Sequence, residues 1–351
     1  MVFALEPASA VPLYQQIRDG LRAQIEVGAL PAGRRGGPLT RLRLERDRRA
    51  AAPVVDGAAA IDARSPAAGP VCLGAPLDLR DADVVRDVVE SGTWRSEPDG
   101  CWTAGREARL VLDLMAPASG ALALDLSATP YPGADRRLAV AVGDREIARV
   151  RTAEPLRLTA PVPGALVAGR PRIALRLTTP DVAVPALLGH SEDDRDLSFH
   201  LESLTLREAP LVTAGEEIAF GEHAGDDAFL AGGWSRPEAV GRWTDGPRAA
   251  LLARLPERPR GDAELRLRAM PFGRDQAVDV LVGGRRAARL RYAVDRPDQE
   301  RVIRLRATDF GPAGDVLIEL VVRRPAAPTA LGLGPDARRL GLCLAGLTLA
   351  A

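Results

Sequence analysis

Most of this 351-residue chain is written twice, and a chain that repeats itself over a domain length folds as a tandem. The first copy carries Gly92-Thr-Trp94, then Trp102-Thr-Ala-Gly105, then RLVLDL; the second carries Gly232-Gly-Trp234, then Trp243-Thr-Asp-Gly246, then ALLARL. All four tryptophans fall in these motifs. Val140-x-Val142-Gly143-Asp144-Arg145 answers Val280-x-Val282-Gly283-Gly284-Arg285, each reading as a strand that enters a glycine-led hairpin turn. Toward the end of each copy, PALLGHSEDDRDLSFHLESLTL from Pro185 aligns without a gap with PTALGLGPDARRLGLCLAGLTL from Pro328. The shared frame is Pro-x-x-Leu-Gly-x-x-x-Asp-x-Arg-x-Leu, closing on Leu-x-x-Leu-x-Leu. The boundary between copies falls around residues 209 to 215, giving modules at 75–209 and 215–351.

Within each copy the apolar residues alternate: Leu122, Leu124 and Leu126; Leu138, Val140 and Val142; Ile173, Leu175 and Leu177; Val278, Val280 and Val282; Val316, Ile318, Leu320 and Val322. Period two, with Gly, Pro and Asp between segments, predicts antiparallel sheets buried on one face and packed in pairs. The expected fold class is mainly β: two tandem antiparallel β-sandwich domains, jelly-roll-like, preceded by a short N-terminal helix and a linker. The helix is predicted over 12–27, where Leu13, Ile17, Leu21 and Ile25 recur after Pro12 and Gly28 ends the pattern. Residues 36–74 read as a linker, first Arg-rich and then Ala- and Pro-rich, with the folded body starting near Val71.

The formal charge is zero, so the whole chain lacks the basic excess that points to nucleic acid, although Arg34, Arg35, Arg41, Arg43, Arg46, Arg48 and Arg49 outweigh Glu45 and Asp47 locally. Lys and Asn are absent, so the abundance of Arg reflects a coding bias and not a ligand. No apolar run approaches membrane-spanning length, so no membrane span is expected. MVFALEPASA has no basic region before an apolar core, and Cys72, Cys101 and Cys343 are an odd set without metal-ligand spacing. The expectation is a cytoplasmic chain with reduced thiols, Cys101 and Cys343 acting as small buried hydrophobes.

Two resemblances sit on these motifs. Residues 12–35, PLYQQIRDGLRAQIEVGALPAGRR, resemble the opening helix and loop of a GntR-type winged helix-turn-helix. The recognition helix of that family does not follow, since GGPLTRLRLERDRRAAAPVV lacks its signatures, so the segment 1–35 reads as a truncated piece and DNA as an unlikely partner unless a complete winged helix is present. The tandem resembles a two-tryptophan β-sandwich module attached to bacterial glycosyltransferases and other envelope-polysaccharide proteins. The likeness is closer in the second copy, where Gly233-Trp234-Ser235-x-Pro237-Glu238 is intact. The first copy departs at Thr93-Trp94-Arg95-Ser96-Glu97-Pro98, with Glu and Pro exchanged and one residue fewer before Trp102, so a role resting on Glu238 does not carry over to it.

That resemblance implies a non-catalytic carbohydrate-associated or interaction module, partnered by a glycan or a polysaccharide-synthesis protein. The alternative is a GntR-like DNA-binding transcription regulator whose sandwiches sense a ligand. Trp234 with Glu238, Trp243 with Asp245, and in the first copy Trp94 and Trp102, are the candidate ligand-binding residues: an indole offers an apolar face to a sugar ring while polar neighbours take its hydroxyls. The competing reading, and the favoured one, is that the same tryptophans close the sandwich cores. Asp193 and Arg195, repeated as Asp336 and Arg338, fit either an anion grip or a loop clamp, the clamp being the commoner use. His190, His200 and His223 are not repeated, and His200, between Phe199 and Leu201, is expected at a surface or edge. With no nucleophile elbow and no phosphate loop, no enzyme activity, catalytic residue, cofactor or metal is expected.

Overall fold

A computed structural model of the chain describes residues 70–132, 136–222 and 224–351. The helix expected over 12–27, the linker up to residue 69 and His223 lie outside the described residues.

The first copy supplies β1 (Leu77–Asp78), β2 (Val89–Ser91), β3 (Cys101–Ala104), β4 (Glu107–Asp113) and β5 (Leu122–Pro130). It continues with β6 (Arg136–Val142), β7 (Arg145–Thr152), β8 (Leu156–Val162), β9 (Arg172–Thr178) and β10 (Leu197–Glu208). One sheet runs β1-β10-β5-β8 with β3 also on β10; the other runs β2-β4-β9-β6-β7, and every pairing is antiparallel. Their inner faces meet in one core that includes Leu110, Leu112, Leu124, Leu138, Leu175 and Phe199. β5 shows how the sequence dictates this: Leu122, Leu124 and Leu126 are buried while Asp125 and Ser127 face outward. The longest helix among the described residues, Ala82–Val88, starts where Asp81 accepts a bond from the Asp83 amide and buries Val85 and Val88.

The second copy supplies β11 (Glu217–Ala219), β12 (Arg242–Asp245), β13 (Arg248–Arg254), β14 (Ala263–Pro271) and β15 (Gln276–Val282). It ends with β16 (Arg285–Tyr292), β17 (Gln299–Leu305), β18 (Asp315–Val322) and β19 (Leu340–Ala350). Its sheets run β11-β19-β14-β17, with β12 on β19, and β13-β18-β15-β16. The order reproduces that of the first copy strand for strand, except that a single bridge, Leu230 to Leu251, stands where β2 pairs with β4. The protein is therefore a tandem of antiparallel β-sandwiches. Both hairpin turns need left-handed backbone, at Gly143 (φ 56°) and at Gly283 and Gly284 (φ 57° and 81°).

The two sandwiches meet through small side chains: Ala121, Ala123, Ala209, Ala231 and Ala250 with Leu252 and Leu317. Asp315 of the second, 5 % exposed, accepts a bond from the Ala121 amide of the first at 2.8 Å. Arg207 of the first reaches the Ala228 and Leu230 carbonyls of the second. Backbone approach is close enough that a β-carbon on Gly120 would lie 2.1 Å from the Asp315 carboxylate and one on Gly232 2.4 Å from the Thr159 carbonyl. Segment 185–194, taken by itself, is a short helix Pro185–Leu188 ended by left-handed Gly189, with the Ala186 amide bonded to the Asp193 carbonyl at 2.7 Å.

Candidate functional site

Strand pairing fixes which residues of the two copies correspond, and it corrects the alignment of the tryptophan motifs. Thr93 bridges Thr103, and Trp234 bridges Thr244. The Trp94 amide bonds the Trp102 carbonyl at 2.8 Å, as the Ser235 amide bonds the Trp243 carbonyl at 2.9 Å. The motifs therefore align without a gap, Gly92 on Gly233 and Trp102 on Trp243, and Trp94 answers Ser235 instead of Trp234. A one-residue difference on extended backbone sends a side chain to the opposite face. Trp94 accordingly joins Trp102, Tyr131 and Leu197, whereas Trp234 packs toward the core of its own sandwich against Phe220, the rings nearly parallel with centroids 6.4 Å apart.

The same frame restores Glu97 as the counterpart of Glu238. Each opens a two-way turn, Glu97 with Gly100 and Glu238 with Gly241, whose amides and carbonyls bond each other at 2.6–3.1 Å. Each glycine lies against β10 or β19 so closely that a β-carbon would come within 2.3 Å of the Leu201 or Leu344 carbonyl. Each glutamate then receives the repeated arginine: Arg195 at 2.7 Å from Glu97, and Arg338 at 2.9 Å from Glu238. A repeated Glu-x-x-Gly-x-Trp, at Glu97 to Trp102 and Glu238 to Trp243, was the available sequence signal. Counting from the first tryptophan instead of the second conceals it.

In the second copy this cluster is closed. Trp243 is 9 % exposed, packs with Leu340, Cys343, Met270 and Phe272, and donates its indole N–H to Glu238 at 3.0 Å. Arg338 also forks onto Asp336 at 2.6–3.1 Å, holding that carboxyl below its usual range while the guanidinium pKa is itself raised. Asp245 is exposed and accepts the Arg339 amide at 3.0 Å, a bond that fixes the next turn. In the first copy Arg195 lies 5.8 Å over the Trp94 ring, and the Trp94 N–H bonds the Asp196 carbonyl at 3.2 Å. Trp102 packs on Tyr131 and His200. Among the expected platform residues, Trp243 therefore has its flat faces covered by its own sandwich. The thiols beneath, Cys101 and Cys343, are pushed up to about 12 by burial, with Glu97 and Glu238 adding to the effect.

His200 is not an edge residue. β10 runs between β3 and β5, and its first five residues are buried on both faces because the Glu97–Gly100 turn, Trp102 and Tyr131 cover the side that alternation would leave in water. His200 is 5 % exposed.

Trp234 reaches a concavity of ligand size. It lines a cleft of about 850 Å³ where the two sandwiches adjoin, together with Asp125, Arg157, Thr159, Arg207 and Arg236. Asp125 is fixed from two sides, by Arg207 at 2.7 Å and the Thr159 hydroxyl at 2.7 Å, and the indole N–H of Trp234 is spent on the Ala250 carbonyl at 2.7 Å. Arg157 and Arg236 are exposed at its rim. None of these first-copy residues was visible as a site in the sequence, because they are single polar positions on alternating strands that converge only when the copies dock. Among the described residues no helix is long and apolar enough to cross a membrane.

No protein-family model matches the sequence, and no curated protein does. Solved structures align with it weakly. The tandem CBM51 modules of a family 98 glycoside hydrolase from Streptococcus pneumoniae align at 7% identity over 76% of this chain and 88% of theirs, with a TM-score of 0.21. The CBM22 tandem of a Paenibacillus barcinonensis protein aligns at 10% identity over 72% of this chain and 86% of its own, with a TM-score of 0.23. A Paenibacillus xanthan lyase aligns at 11% identity over 80% of this chain and 26% of the lyase, with a TM-score of 0.27. The tandem-sandwich fold of this chain rests on its own strand pairing.

Proposed function

We propose that the tandem binds a glycan, without transforming it, in the cleft where its two sandwiches adjoin. The observation that supports this reading is the convergence of the Trp234 indole with Asp125, Thr159, Arg157 and Arg236 in one cleft of about 850 Å³. An indole gives apolar area to the C–H face of a sugar, while a carboxylate, a hydroxyl and guanidinium groups suit its hydroxyls. The two exposed arginines favour an acidic glycan, whose carboxylates they can grip through the guanidinium fork. Asp125 is committed to Arg207 and Thr159, so it orients a ligand instead of moving a proton. In this reading the chain is a cytoplasmic accessory of envelope-polysaccharide synthesis, serving a separate catalytic protein.

The test is calorimetric titration of the full chain with neutral and uronate-containing oligosaccharides. Arg157→Ala and Arg236→Ala are expected to weaken binding of the acidic ligand about tenfold each, roughly 1.4 kcal/mol, with unchanged circular dichroism. Absence of binding to every oligosaccharide, or binding indifferent to both substitutions, would sink the proposal.

A further inference from the structure

We infer that the first sandwich holds a zinc-type divalent cation between Glu97, Asp99 and His200, a site that the second sandwich lacks. The three side chains converge so that one donor atom of each lies within 4.8 Å of the others. Two come from the Glu97–Gly100 turn and the third from β10, more than ninety residues away in sequence, and for that reason no ligand spacing betrays them.

The imidazole points to a ligand independently of the carboxylates. The His200 side chain is 7 % exposed, yet its Nε2 has no hydrogen-bond partner, and burying a polar nitrogen unpaired is costly. That nitrogen faces Asp99 Oδ1 at 3.5 Å, beyond a good N–H···O bond of about 2.7–3.2 Å. Two donors held about 2.0–2.2 Å from a tetrahedral zinc lie roughly 3.4 Å apart, so the observed gap is the span of a shared ion. The surroundings fix the ring for this purpose. Trp102 packs on it at 4.7 Å between centroids, and Gly100 is pressed so close that a β-carbon there would fall 2.8 Å from His200 Cε1.

Arg195 donates to Glu97 Oε1 at 2.7 Å, the kind of outer hydrogen bond that orients a ligating carboxylate. One imidazole and two carboxylates suit zinc and similar first-row ions better than magnesium or calcium, which take oxygen. Asp99, whose side chain is 80 % exposed, leaves the fourth position open to water. The second copy is an internal contrast: it keeps Glu238, Arg338 and Gly241 but has Val240 and Cys343 at the positions of Asp99 and His200, as the pairing of Trp102 with His200 and of Trp243 with Cys343 requires. The clamp is common to both sandwiches, and the added donors belong to one. The ion would tie the Glu97–Gly100 turn to β10 and stabilise the first sandwich by mass action.

The test uses the full chain after dialysis against a chelator. Calorimetric titration with zinc chloride, and titration with cobalt chloride followed by visible absorption, are run on the wild type and on Cys72→Ser, Asp99→Val and His200→Gln. One equivalent of zinc is expected for the wild type and for Cys72→Ser, with a tetrahedral cobalt spectrum and a raised melting temperature. Asp99→Val, which places the second copy's residue at an exposed position, is expected to weaken binding at least about tenfold while leaving the fold intact. His200→Gln should do the same, and if it unfolds, Asp99→Val alone decides the matter. No binding at about 1 mM zinc, or binding that survives Asp99→Val or disappears with Cys72→Ser, overturns the inference.

Discussion

Replacing Trp243 separates a core residue from a ligand platform, and the structure supplies the sizes. The indole is 9 % exposed among Leu340, Cys343, Met270 and Phe272, so truncation in Trp243→Ala empties a buried site, at about 3–5 kcal/mol. Trp243→Phe keeps a six-membered ring but removes the pyrrole part of the indole together with the N–H that Glu238 accepts at 3.0 Å. A hydrogen bond to a charged group is worth about 1.5–3 kcal/mol. Glu238, however, is 37 % exposed at its side chain and keeps Arg338 at 2.9 Å, so water replaces part of the loss. The expectation for Trp243→Phe is therefore about 1.5 kcal/mol from the bond, with the vacated part of the buried site adding to it, so that the total stays below that of Trp243→Ala. Urea unfolding of the full chain, followed by far-ultraviolet circular dichroism, measures both. A cost below about 1 kcal/mol for Trp243→Ala, together with weakened glycan binding, would refute the reasoning and return Trp243 to the role of a platform.

Thiol labelling of the native chain should modify the exposed Cys72 and spare Cys101 and Cys343, whose pKa values burial pushes up to about 12; labelling of all three before denaturation would contradict the described packing. Asp279 accepts Arg289 at 2.6 Å and Arg323 at 2.9 Å, the Arg289 bond being the larger cause, and its pKa is lowered to about 2. Its folded pKa lies below the unfolded value of about 3.9, so its contribution is complete above pH 4 and is lost as the pH falls toward 2. Asp279→Asn should flatten the stability profile across that window, and an unchanged slope in urea titrations between pH 4 and pH 2 would count against the pairing.

The alternation of Leu122, Leu124 and Leu126 and of Val316, Ile318, Leu320 and Val322 was enough to place β5 and β18, because burial on one face leaves a period-two trace in any single strand. The repeat motifs gave the tandem for the same reason: each recurs within a few residues. Register was harder. Gly92-Thr-Trp94 and Gly232-Gly-Trp234 look alike as strings, but hydrogen bonding aligns Gly92 with Gly233 and so turns the two tryptophans to opposite faces. His200 defied alternation because its outer face is roofed by a turn a hundred residues earlier. The cleft residues Asp125, Thr159 and Arg157 left no mark, since their meaning depends on docking between copies, and docking is carried by alanines that read as ordinary strand filler.

The glycine contacts at that junction carry a historical consequence. Gly120 rests on the Asp315 carboxylate and Gly232 on the Thr159 carbonyl, so a side chain at Gly120 would displace that carboxylate and one at Gly232 would press on backbone of the other sandwich. Once a duplicated module is docked in this way, the two copies cease to be interchangeable: each contributes a different surface to the contact, and each is shielded from water in a different place. Selection then acts on them as on two separate genes in one chain. The first copy carries Asp99 and His200 and lines a cleft with Asp125 and Arg157, while the second brings Trp234 and Arg236 to the same cleft. Two modules with the same strand order thus present different surfaces to each other, and at two of the closest points of that contact stands a residue with no side chain at all.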